Sequence, residues 1–373
     1  MNEDGALEGF RCRDCGRTYP ATTYEWRCES CGGAFGVQNP TGFLKAAIDR
    51  DDHTLWRYRE SLPLAEVVSL GEGMTPMVRD SGYGPGIHLK LEFLAPTGSF
   101  KDRGAATLVS FLKQNGIREV VEDSSGNSAA SLAAYCAAAG ITARIFVPSD
   151  ASPAKMRQIS SFGASLVPIR GPRSESARAA MDAAKSGSYY ASHCWHPFIF
   201  EGLKTFAFEV VEQLKWQAPD AIFFPVGNGI LILGAYQGFR ELRESSVIRK
   251  IPRLFAIQAA ACAPLAEAYR LGEPEPIEID LQETIAEGVR IARPVRGREI
   301  LEVVRETGGM ALAVDEEEIV ETREELAHRG LYVEPTSPVA VAGLKRALAD
   351  GILVPEQVTV VPLTGSGLKA QGR

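Results

Sequence analysis

A chain of 373 residues, 45% hydrophobic and 23% charged, holds enough apolar side chain for a large buried core, and its length suits two lobes plus a small appendage. The 47 acidic residues outweigh the 40 basic ones, a formal net charge of -7, which offers no general basic surface to nucleic acid or anionic lipid. No run reaches the ~18 to 20 apolar residues of a membrane span, and Met1 to Phe10 lacks the basic-then-apolar pattern of a signal peptide, so a soluble, cytoplasmic protein is expected.

In chain order, the first feature is two Cys-x2-Cys pairs, Cys12/Cys15 and Cys28/Cys31. This is metal spacing: two tight knuckles supply the tetrahedral four-sulfur shell that Zn2+ favours in structural sites, with Gly16, Gly32 and Gly33 letting the chain curl after each pair. A vestigial knuckle or a redox pair are the alternatives. Only Arg11, Arg13, Arg17 and Arg27 are basic in this stretch, too few to argue for nucleic acid. Cys136 and Cys262 read as buried packing residues.

Strand-helix alternation follows. Strands are predicted at Ile87 to Phe93, Ala143 to Val147, Ser165 to Ile169, Ala221 to Val226, Leu254 to Gln258 and Gln357 to Leu363. Helices are predicted at Ser128 to Gly140, Pro153 to Phe162, Ser174 to Lys185, from the glycines after Val226 to about Arg243, at Asp315 to Arg329 and at Ser337 to Ala349. The pattern is that of an α/β protein with mostly parallel, twisted sheets. The Pro- and charge-rich segment 273–298 reads as a surface excursion.

Three stretches rich in Gly, Ser or Thr fall at predicted strand ends, where open parallel sheets bind ligands. In PTGSFKDRGA, Lys101 follows a tight turn and opens a helix. In SSGNSAA, Gly126 admits a ligand to the backbone, Asn127 brings an amide, and the helix start offers N–H groups to an anion. In PVGNGIL, Gly227 to Gly229 make a similar anion-binding turn.

With these motifs in this order, the chain from GEGMTP (Gly71 to Pro76) to TGSGLK (to Lys369) resembles the fold type II pyridoxal-phosphate enzymes, within them the threonine synthase family, some of whose members carry a similar four-Cys ribbon. The resemblance implies two lobes with a cleft between them: a zinc ribbon at 1–40, a large cofactor-binding lobe from 41–114 and 191–373, and a small lobe at 115–190. It implies that Lys101 forms the Schiff base with the cofactor, that Asn127 lies against the cofactor ring, and that Ser125, Gly126 and Ser128 hold the substrate carboxylate. It implies too that Gly227, Asn228, Gly229, Ile230 and Leu231 cradle the cofactor phosphate and that Thr364 meets the ring nitrogen. A neutral Thr364 suits elimination followed by addition, and Lys101, once released, is placed as the base for the α proton. A homodimer is expected on the same ground and by base rate.

The implied reaction converts O-phospho-L-homoserine and water to L-threonine and phosphate, with Lys155 and Asn228 in the substrate's phosphate clamp. The segment His193 to Thr205, HCWHPFIFEGLKT, departs from the family's NSxNPxRxEGxKT: His193-Cys194 stand for Asn-Ser and Ile199 for Arg. His193 and His196 are therefore candidate substrate-side groups, able to accept an anion or pass protons. Alternative readings are β-replacement on O-phosphoserine, as in cysteate synthase, threonine or serine dehydration, and a non-catalytic zinc-ribbon binding protein.

Overall fold

A computed structural model describes residues 8–370 apart from 81, 150, 152 and 172, with the side chains of 153–155 also outside the description. In chain order its elements are β1 (Phe10–Cys12), β2 (Thr18–Tyr19), β3 (Phe35–Val37), β4 (Met77–Arg79), β5 (Ile87–Lys90), α1 (Lys101–Gln114), β6 (Glu119–Glu122), α2 (Asn127–Ala139), β7 (Thr142–Pro148), α3 (Pro153–Ser161), β8 (Ser165–Ile169), α4 (Arg173–Lys185) and β9 (Tyr189–Tyr190). There follow α5 (Pro197–Leu203), α6 (Thr205–Gln213), β10 (Ala221–Pro225), α7 (Ile230–Glu244), β11 (Arg253–Ala259), α8 (Pro264–Leu271), α9 (Gly297–Glu306), β12 (Ala311–Val314), α10 (Glu316–His328), α11 (Pro338–Ala349) and β13 (Thr359–Pro362). Among the described residues no helix is long and apolar enough to cross a membrane.

The chain forms two compact units, the first from Met1–Met74 and Lys101–Thr205, the second from Thr75–Phe100 and Phe206–Arg373. Within the first unit α1 and α5 pack closely: a Cβ at Gly202 in α5 would lie 2.0 Å from the Arg103 carbonyl of α1, and one at Gly104 would lie 3.1 Å from Ile199.

In the first unit the parallel sheet β8-β7-β6-β9 comes wholly from the expected small-lobe segment. Alternating burial along β7, with Ala143 and Ile145 inside, seats it on α2, an Ala-rich helix stopped by Gly140 at φ 68°. The antiparallel sheet β2-β1-β3 carries the cysteine knuckles. Phe10 packs tilted on Phe111 and edge-on against His196 and Phe198, at 5.6, 5.9 and 6.3 Å, while Trp26 meets Tyr190 and Trp195 at 5.5 and 5.0 Å.

In the second unit the sheet runs β12-β11-β10-β13-β5-β4, parallel except for the antiparallel edge β4. Its central strands are apolar on both faces, as a doubly covered parallel sheet requires; Phe223 of β10 stacks on its register partner Phe255 of β11 at 4.2 Å. The 273–298 segment is more than an excursion: Ala286 and Val289 are fully buried in this unit, and α9 begins at Gly297.

Candidate functional site

Each unit gathers one group of the residues singled out above, and the first unit holds the amine. Lys101 opens α1 directly after the 96–99 turn and is half-buried. Its charged neighbours are locked into the fold: Asp102 accepts a hydrogen bond from Ser131 of α2, and Arg103 Nη1 donates to Thr205 Oγ1 at 3.2 Å, both side chains fully buried.

The segment Ser124 to Ser128 leaves the carboxyl end of β6. Ser124 Oγ accepts from Gly126 N at 3.2 Å, which fixes the turn, and α2 begins at Asn127 with no side-chain cap, so its first-turn N–H groups are available to an anion. Ser125, Gly126 and Asn127 are half-buried and Ser128 is buried. The Lys155 side chain lies outside the described residues.

The neighbouring strand β9 runs parallel to β6, with Val121 opposite Tyr190, so the residues leaving both strands meet. Glu122 Oε1 and His193 Nδ1 are 2.6 Å apart, and Tyr190 donates its hydroxyl to Asp123 Oδ1 at 2.6 Å. Burial, then the Asp123 charge, pushes the Glu122 carboxyl well above the ordinary range, against the opposing pull of Arg173, the His193 N–H and Lys101. His193 was a candidate in the sequence, but its pairing with Glu122 was not foreseen, because the two stand 71 residues apart and Glu122 belongs to none of the motifs.

His196 is different. Its Nδ1 accepts from Phe198 N at 3.3 Å, capping α5, so the ring proton sits on Nε2, 2.9 Å from the Tyr189 hydroxyl. Burial lowers its pKa to about 3, which leaves a neutral, fully engaged ring. Ile199 is buried against Gly104 of α1, a packing position.

The second unit holds the anion-binding turn. Gly229, at φ 68°, is the N-cap residue before α7 and supplies no side-chain cap, and a Cβ there would sit 2.2 Å from Ile300. A Cβ at Gly227 would press on the Gly288 carbonyl at 2.8 Å. Asn228 is half-buried, while Ile230 to Leu233 turn their side chains into the core. Apolar residues suit these positions because only their backbone N–H groups face the turn.

Thr364 follows β13 and is buried. Ser337 Oγ accepts from Thr364 N at 2.9 Å and Gly365 N at 3.1 Å and lies 3.1 Å from Thr364 Oγ1, so a second hydroxyl orients the first. The same stretch anchors the turn before Lys101: Phe100 N donates to the Thr364 carbonyl at 3.1 Å and Ser366 N to the Gly98 carbonyl at 2.9 Å. The donor set fits pyridoxal phosphate: an amine, an uncapped helix N-terminus walled by glycines, and a neutral hydroxyl.

The four cysteine sulfurs lie within 4.8 Å of one another, with Cys12 to Cys31 and Cys15 to Cys28 each at 3.5 Å. A tetrahedral Zn–S4 shell has an edge of about 3.8 Å, so the cluster has metal-site dimensions. The knuckles match one another: Gly16 N returns to the Cys12 carbonyl and Gly32 N to that of Cys28, both glycines at positive φ. A hydrogen bond from Tyr19 brings the Cys28 thiol down to about 6, toward the thiolate a metal needs.

The family model for pyridoxal-phosphate dependent enzymes matches residues 68–365. The threonine synthase of Methanocaldococcus jannaschii is 35% identical over 96% of this chain and 92% of its own, and that of Mycobacterium bovis is 37% identical over 84% and 87%. Among solved structures, the L-serine ammonia-lyase of Rhizomucor miehei superposes with a TM-score of 0.69 at 23% identity, covering 78% of this chain and 93% of that one, a likeness of fold. Over most of its length, this chain belongs to the pyridoxal-phosphate dependent enzyme family.

Proposed function

We propose that the protein is a pyridoxal-phosphate-dependent lyase that converts O-phospho-L-homoserine and water to L-threonine and phosphate. The observation that carries this reading is the 35% identity to a threonine synthase across 96% of the chain; Lys101 at the start of α1 and the uncapped starts of α2 and α7 support it.

Lys101 would hold the cofactor, Asn127 would face its ring, the N–H groups of Gly227 to Leu231 would bind its phosphate, and Thr364, oriented by Ser337, would meet its ring nitrogen. When bound, the cofactor supplies an electron sink for the pair left at the substrate α-carbon. Lys101 Nζ takes and returns the carbon-bound protons. Ser125, Gly126 and Ser128 hold the substrate carboxylate. Lys155 and Asn228 complete a clamp for the substrate phosphate. Cys12, Cys15, Cys28 and Cys31 hold structural Zn2+, and the protein acts in the cytoplasm as a homodimer.

The test is to incubate cofactor-loaded protein with O-phospho-L-homoserine, O-phospho-L-serine and L-threonine in turn and to identify products by mass spectrometry, with the metal content determined on the same sample. L-Threonine from the first substrate and roughly one zinc per four-Cys site are expected. Turnover of either other substrate without threonine from the first overturns the assignment.

A further inference from the structure

Two histidines three residues apart meet opposite fates. Both ring nitrogens of His196 are engaged. His193 spends only Nδ1, on Glu122 at 2.6 Å, and its Nε2 makes no hydrogen bond among the described residues. Glu122 is 1% exposed and its Oε2 is buried without a hydrogen-bond partner, a costly arrangement for a carboxyl whose work is only structural. The pair stands at the carboxyl ends of adjacent parallel strands, where such sheets bind ligands, and Glu122 begins the segment that runs directly into Ser124 to Ser128. Lys101 is near enough for its charge to act on Glu122.

We infer that Glu122 and His193 form a proton-donating pair on the substrate side of Lys101, His193 offering Nε2–H to the oxygen of the leaving group and Glu122 serving as its positioning residue. The inference rests on the reaction proposed above. The protonated pair holds one proton between Oε1 and Nδ1 and another on Nε2. As the Cγ–O bond breaks, its electron pair stays on the phosphoryl oxygen, which takes the Nε2 proton and departs as hydrogen phosphate rather than as a trianion. The imidazole keeps its Nδ1–H on Glu122. Water then adds its oxygen at the β-carbon, and the proton it sheds restores the pair, so protons balance over the cycle and nothing is oxidised. The charged or titratable groups facing the pair are Asp123 just after β6, Tyr190 on β9 through Asp123, Lys101 on α1 and Arg173 on α4.

The experiment compares the parent holoenzyme with Glu122→Gln, His193→Gln and the double variant on O-phospho-L-homoserine and on 2-amino-4-chlorobutanoate, whose chloride leaves without a proton. General acid catalysis contributes ~10^2 to 10^4-fold, so kcat on the phosphate ester should fall by about that range in each variant, no further in the double variant, with KM within about threefold. Turnover of the chloride should fall by at least tenfold less than that of the phosphate ester, and the visible absorbance of the bound cofactor should stay at the parent value. In the parent labelled with 15N-histidine, inorganic phosphate should shift one of the five imidazoles, the one missing from His193→Gln. Equal losses on both substrates together with lost cofactor absorbance mark a structural pair and overturn the inference, as does an imidazole that phosphate leaves unmoved. Should Glu122→Gln fail to fold, His193→Gln and the phosphate titration decide alone. A parent that makes no threonine refutes the proposed reaction, and the titration still tests the pair.

Discussion

At the scale of single residues, burial decides which polar groups serve the fold. His196 illustrates the structural case, and its titration has a definite sign. Its folded pKa of about 3 lies below the unfolded value of about 6.5, so the stability it lends is present above ~6.5 and is lost as pH falls toward 3. His196→Phe should therefore be less stable than the parent at pH 7, having lost the cap on α5, yet show a flatter acid limb. Urea midpoints measured from pH 7 to 4 check this, and parallel limbs would sink it. Lys101 and Thr364 were recognisable in the sequence as candidates because each sits in a compact Gly- and Ser/Thr-rich motif. Ser337 was not, since its role arises from a contact with a turn 27 residues away.

Helix and strand predictions fared best where the pattern was long. The predicted helices at Pro153 and Asp315 begin within one residue of α3 and α10, and the Ala-rich run ends, as read, at the Gly140 cap. Strands β6, β9 and β12, of 4, 2 and 4 residues, escaped notice. Helix α9 was not anticipated; it begins at the end of the 273–298 stretch, whose prolines and charges suggested a loop. A consequence attaches to the start of α7, where a positive-φ glycine both ends the turn and bares the first N–H groups. Gly229→Ala adds a strained side chain that also meets Ile300. A left-handed non-glycine residue costs ~1 to 2 kcal/mol, so the apparent Kd for pyridoxal phosphate should rise about tenfold or more, read from the visible absorbance on cofactor titration. An unchanged affinity would remove this turn from the cofactor site.

For the whole molecule, sequence alternation pointed to parallel sheets and the cysteines to a metal cluster, but which segments pack together depended on contacts that no local pattern encodes. Phe10 and Trp26 lie in a cysteine-rich stretch that looks self-contained, yet their rings are built into the first unit.

The strand order of the six-stranded sheet also sets a timetable. Strand β5 is among the first strands of its unit to leave the ribosome, yet its neighbour β13 is the last, pairing Ile87 with Thr359. At ~5 to 20 residues per second, the early strand waits tens of seconds with an unpaired edge. A nascent chain released before Thr359 leaves β12-β11-β10 and β5-β4 as two ribbons with no strand to join them. Such a truncation should be insoluble or rapidly degraded, while the parent should acquire protease resistance only near the end of synthesis, as pulse proteolysis of stalled chains would record. Resistance of the second unit in chains stalled short of β13 would contradict this order.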